Sequence, residues 1–66
     1  MKVHYHQVDD ALYVRLDDSQ IIESEEVAPG IIVDYNNEKQ ITGIEVLGLK
    51  KRMPRAKVSE LQLEIS

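Results

Sequence analysis

Ala28-Pro29-Gly30 followed by Ile31-Ile32-Val33-Asp34-Tyr35 is a turn running straight into a strand. Proline presets φ at the first central position of a turn, and glycine accepts the positive φ that a type II turn needs at the second. Beyond the turn, Ile31, Val33 and Tyr35 alternate with Ile32 and Asp34, the period of two that places successive side chains on opposite faces of a strand. The same period recurs on both sides. Upstream, Val3 and Tyr5 alternate with Lys2, His4 and His6, and Leu12, Val14 and Leu16 alternate with Ala11, Tyr13 and Arg15. Downstream, Ile44 and Val46 alternate with Glu45 and Leu47.

Polar turns separate these runs. Asp9-Asp10 and Asp17-Asp18-Ser19 are turn formers, because short side chains of this kind bond nearby backbone amides. Asn36-Asn37-Glu38-Lys39 has the length of a hairpin loop. Gln20–Val27 reads as a further strand, with glutamates at 23, 25 and 26 and apolar residues only towards its ends. Such charge suits an exposed edge, where it discourages pairing with other chains. Gly43, inside the Gln40–Leu47 strand, suggests a bulge. Asp10, Pro29, Gly30 and Gly43 are thus the expected structural turn positions. Leu47–Arg52 fits a helical turn with its basic residues at the favourable C-terminal end, stopped before Pro54. After a turn near Ser59, the alternation of Leu61, Leu63 and Ile65 favours a strand over an equally spaced helical stripe. The expectation is a mainly β fold in one domain spanning 1–66: a small antiparallel β-meander of four or five strands, sequential strands paired, with a short helical turn near the C-terminus.

The chain has 66 residues, no cysteine and a net charge of −4. Disulfides and thiolate metal sites are excluded. No apolar run approaches the roughly 20 residues of a membrane span, and no segment resembles a signal peptide, so a cytoplasmic protein is expected. A chain this short buries only about 60% of its unfolded surface. One sheet face carries Val3, Tyr5, Leu12, Val14, Leu16, Ile31, Val33, Ile44 and Val46, and a single small sheet cannot cover it. The C-terminal segment, a partner or a second subunit must do so, and a homodimer is expected.

Charge is unevenly spread. Residues 1–49 carry ten acidic and three basic side chains, whereas Lys50, Lys51, Arg52, Arg55 and Lys57 cluster within eight residues. The basic cluster lacks interleaved aromatics, so nucleic-acid contact is not expected. Glu23, Glu25 and Glu26 are the candidate partner-binding residues, because an acidic surface selects a basic partner. His4 and His6 lie two apart on one strand face and could share an ion. A metal site needs a third ligand that no spacing supplies, and two exposed histidines are the simpler account. The paired aspartates are explained by their turns, the serines lack a nucleophile-elbow context and the glycines form no phosphate loop. No catalytic group, cofactor or metal is expected.

Tyr5, then Asp10-Ala11-Leu12-Tyr13-Val14-Arg15-Leu16, then Glu23 and Glu25-Glu26-Val27, then Pro29–Tyr35, then Gly43-Ile44-Glu45-Val46-Leu47 together resemble a family of small bacterial and archaeal proteins that form a domain of unknown function. The resemblance runs through residues 1–52 in order, and is weaker from Met53 to Ser66. It implies a small β-rich fold without assigned activity. Some members are thought to be encoded beside small toxin-like proteins, which implies an antitoxin-like role neutralising a basic toxin. The alternatives from the residues themselves are a homo-oligomeric structural protein and a metal- or ligand-binding protein using His4 and His6.

Overall fold

The computed structural model describes all residues, 1–66. Five strands form one antiparallel sheet: β1 (Lys2–His6), β2 (Ala11–Arg15), β3 (Glu23–Ala28), β4 (Ile31–Tyr35) and β5 (Ile41–Leu47). A single helical turn, α1 (Leu49–Arg52), and a 3-10 turn (Val58–Glu60) follow. The mainly β class and the short helix near the C-terminus agree with the sequence reading.

The strand order is β1-β2-β5-β4-β3. Three sequential pairs form as hairpins, but β2 does not pair with β3. It pairs with β5, through Leu12 opposite Val46 and Val14 opposite Ile44. This is a Greek-key order, not a plain meander. The physical reason lies in β3. Placed beside β2, its glutamates would stand in the middle of the sheet; placed beyond β4, all six residues of β3 remain exposed. Burying a carboxylate without a partner is costly, while the apolar alternation of β5 matches that of β2.

The connection from β2 to β3 crosses the sheet end below β5 and β4. Leu16 and Asp17 donate backbone N–H groups to the Thr42 carbonyl at 2.7 and 3.3 Å, and Ile22 donates to the Tyr35 carbonyl at 2.8 Å. Thr42, fully buried, is the extra residue where the β4–β5 register shifts between Asp34 and Tyr35. The irregularity thus falls beside Gly43 rather than on it. Asn36 fastens the β4–β5 loop: its Oδ1 accepts from the Glu38 and Gln40 amides at 2.9 Å, and its Nδ2 donates to Gln40 Oε1 at 2.9 Å and Ser19 Oγ at 3.2 Å. Its burial is therefore satisfied on both sides of the amide.

Pro29 and Gly30 occupy the β3–β4 turn, with Gly30 at φ 76°. Residues 61–66 form no strand. Leu63 and Ile65 are 81% and 88% exposed. Their alternation fails to make a strand here because no neighbouring strand accepts their backbone groups. A period of two is necessary for a sheet strand but supplies no partner.

Candidate functional site

The cross-strand register sorts the sheet into two unlike faces. Row by row, Val3, Val14, Ile44, Val33 and Glu25 stand on one side, and so do Tyr5, Leu12, Val46 and Ile31. The opposite side carries Lys2, Arg15, Gly43, Asp34 and Ser24 in one row and His4, Tyr13, Glu45, Ile32 and Glu26 in the next.

Around Asp34 the polar face is tied together by its own hydrogen bonds. Tyr13 reaches diagonally across β5 and donates its hydroxyl to Asp34 Oδ2 at 2.8 Å, while Ser24 Oγ donates to Asp34 Oδ1 at 2.6 Å. Arg15 Nη1 donates to the Tyr13 hydroxyl at 3.4 Å, and its Nη2 donates to the Ser19 carbonyl at 2.5 Å. The Tyr13 contact is the main reason the Arg15 pKa lies above its usual value. Gly43 makes this possible, since a Cβ there would lie 2.4 Å from the Tyr13 hydroxyl oxygen. Asp34 is buried with both carboxylate oxygens satisfied. The sequence reading missed this cluster. Its signal was the lone aspartate in the most apolar strand, but the partners come from β2 and β3, and only the register joins them.

A second set of contacts ties the end of the sheet to α1. The Tyr5 hydroxyl donates to Asp10 Oδ1 at 2.5 Å, and the Lys50 amide donates to both Asp10 oxygens at 3.1 and 3.0 Å. Asp10, at φ 51° in the β1–β2 turn, also accepts the Leu49 amide on its carbonyl at 3.0 Å. A carboxylate from a distant turn thus caps the helical turn, filling the place of a local N-cap side chain. The hydrogen bond from Tyr5 and those from the Lys50 and Lys51 amides hold the Asp10 pKa below its usual value, and the same contact pushes Tyr5 above its own. Across the same end, Arg52 donates Nε to the Leu47 carbonyl at 2.9 Å and Nη2 to the Pro29 carbonyl. Two of the five clustered basic residues are therefore engaged at the sheet end: Arg52 in these bonds, and Lys50, whose Nζ lies 6.0 Å from the Tyr5 ring centroid.

The apolar face is different. Val58 and Leu61 line a shallow cleft with Val3, Tyr5 and Leu12, and Leu61 and Leu63 another with Met1 and Val3. No second sheet or long helix lies against the face. Val3, Leu16 and Ile41 remain exposed.

The three candidate glutamates are divided by the alternation of β3. Glu23 and Glu25, opposite Tyr35 and Val33, border the apolar face, where they line a groove with Tyr35 and Lys39; Glu26, opposite Ile32, lies on the polar face. His4 and His6 are neighbours with ring centroids 4.2 Å apart, but no group of three His, Asp or Glu side chains surrounds them. No helix is long and apolar enough to cross a membrane.

A single Greek-key sheet with a hydrogen-bonded cluster on its polar face and an apolar face only partly covered defines a small, open-faced β domain. The chain belongs to the family described as "Protein of unknown function (DUF2283)", whose model matches residues 2–50. That span covers the five strands and the start of α1, and ends before the C-terminal segment. Neither the curated proteins nor the solved structures give a match to the chain.

Proposed function

We propose that this chain is a non-catalytic protein-interaction domain that binds through the apolar face of its sheet. The observation carrying this reading is the exposure of large apolar side chains on a one-layer structure. Val3 is 43% exposed, and Tyr5, Leu12, Val14, Ile31, Ile44 and Val46 are half-buried, while only six of 66 residues are buried. Isolated apolar residues on a surface are ordinary. A contiguous apolar face spread over four strands is the kind of patch that marks an association site. The polar face supports the same reading from the other side, because Asp34, Tyr13 and Arg15, its most enclosed ionisable groups, are bonded to one another.

The test uses Val3→Asp combined with Leu16→Asp, two positions exposed enough to leave the sheet intact. The circular dichroism of the double variant should match that of the parent, and concentration-dependent association seen by sedimentation should disappear. A parent protein that neither associates nor binds a hydrophobic dye overturns the reading.

A second reading rests on β3. Its outer edge is unpaired in the sheet order, and Glu23 and Glu25 lie along it. An extended basic segment could add there as a sixth strand, and an antitoxin-like role against a basic toxin is this reading in its sharpest form. Reversal of Glu23 and Glu25 to Lys should slow association with such a basic partner at least tenfold at low salt. The parent rate should also fall as salt rises. Binding indifferent to salt excludes it.

A further inference from the structure

We infer that the occupant of the apolar face is a second copy of this chain, the two sheets packing face to face as a two-layer sandwich. The inference rests on the reading of that face as an association surface and names what covers it. The first argument is area. A compact monomer of 7.6 kDa exposes about 4,300 Å². This chain exposes 5481 Å². The excess, shared between the open face and the extended residues 61–66, is of the order of 1,200 Å², and a stable interface buries about 800 Å² on each partner. The second argument is shape. The Cα radius of gyration is 12.7 Å, against about 10.8 Å for a compact domain of this length. Stable domains are built from two packed layers, and here there is one.

The third argument is charge, and it distinguishes a second copy from a foreign partner. Glu23 and Glu25 border the apolar face on the β3 side. Arg55 and Lys57 lead into Val58, which lies beside Tyr5 and Leu12 on the β1–β2 side. A twofold axis running along the strands sets the β1–β2 half of each copy over the β3–β4 half of the other. The basic stretch leading into Val58 of each copy then lies toward the acidic β3 border of the other, and the twofold axis repeats that pairing at both borders. A uniformly basic partner would satisfy the glutamates and be repelled at Arg55 and Lys57, and an acidic one would suffer the reverse.

Ile44 provides the test, because β5 is the middle strand and Ile44 stands between Val14 and Val33 on the apolar face. The chain has no cysteine of its own, so a single introduced thiol reports on one position. Facing sheets lie about 10 Å apart, too far for a direct disulfide, so a short bis-maleimide should link Ile44→Cys into a covalent dimer on a denaturing gel, and Glu26→Cys on the opposite face should not be linked. The double variant Val3→Cys with Glu25→Cys serves as a second probe if Ile44→Cys fails to fold, because the axis sets Val3 on β1 of one copy over Glu25 on β3 of the other. Sedimentation of the parent chain at micromolar concentration should give twice the chain mass, with no binding of the dye ANS. A monomeric mass with no cross-linking from either apolar-face thiol overturns the inference. In that case, strong ANS fluorescence leaves the association-surface reading standing with another occupant, and its absence removes both.

Discussion

The two faces of this sheet are built from the same strands and are stabilised by opposite means. On the polar side, a few directed contacts fix each group: Tyr13 and Ser24 both donate to Asp34, and Gly43 leaves room for the Tyr13 ring to pass. On the apolar side, aliphatic residues meet across the strands without directional bonds, and the C-terminal segment meets only part of them. A directed network tolerates little change, because removing one member leaves a buried polar group unpaired. An apolar surface tolerates more change in the isolated chain, because its contribution scales with area removed from water, and apart from Val33 its residues are at most half-buried. The lesson is that the face most sensitive to mutation is not the face available for binding.

The sharpest way to break this contrast is Gly43→Val. The new side chain would displace the Tyr13 hydroxyl and strip Asp34 of one of its two donors. Leaving a buried charged group short of a partner costs about 1–3 kcal/mol, and overpacking adds a similar amount. Urea denaturation should show a loss of about 3 kcal/mol or outright unfolding, and an unchanged midpoint would show that Tyr13 moves aside freely. Gly30→Val should rank next, at about 1–2 kcal/mol, since a β-branched residue is poorly accommodated at φ 76°. Its Cβ would also meet the Arg52 guanidinium, so the amides of α1 should exchange with solvent faster in this variant.

A gentler probe is pH, acting on the contacts that hold α1 to the sheet end. The hydrogen bond from Tyr5 holds the Asp10 pKa below its usual value. Its contribution is therefore fully present above the unfolded pKa and is lost as pH falls through about 4 and below. Tyr5 has a raised pKa, from 10.0. Its contribution is present below that value and is lost as pH rises beyond it. Asp10→Asn should flatten the acid side of the stability profile relative to the parent chain. An identical pH dependence in the two proteins would show that the link to Lys50 contributes nothing. The smallest effect is expected for Leu63→Ser, within about 0.5 kcal/mol in the dissociated chain, because Leu63 is already 81% exposed. A larger loss in thermal denaturation would show that the segment after Leu61 packs more closely on the apolar face.

Particular residues show how far the sequence could be read. Pro29-Gly30 gave a turn, and the alternations at Leu12–Leu16, Ile31–Tyr35 and Ile44–Leu47 gave strands, because both signals are local. The basic end of Leu49–Arg52 and the stop at Met53-Pro54 gave the helical turn for the same reason. Leu61, Leu63 and Ile65 misled, since their alternation is local as well but a strand requires a neighbour. The candidate glutamates were legible as an exposed edge, yet their alternation places Glu26 away from Glu23 and Glu25.

The sequence by itself determined the strands, their turns, the apolar face they share and the absence of any thiol chemistry. Tertiary structure alone decided that β2 pairs with β5, that Asp10 caps α1 forty residues away, and that Tyr13, Ser24 and Arg15 gather around Asp34 over Gly43. Alternation and turn chemistry act between residues adjacent in the chain, so they are written in short windows. Strand order and buried polar contacts arise from competition among distant segments for the same partners, and that competition is settled only when the whole sheet forms.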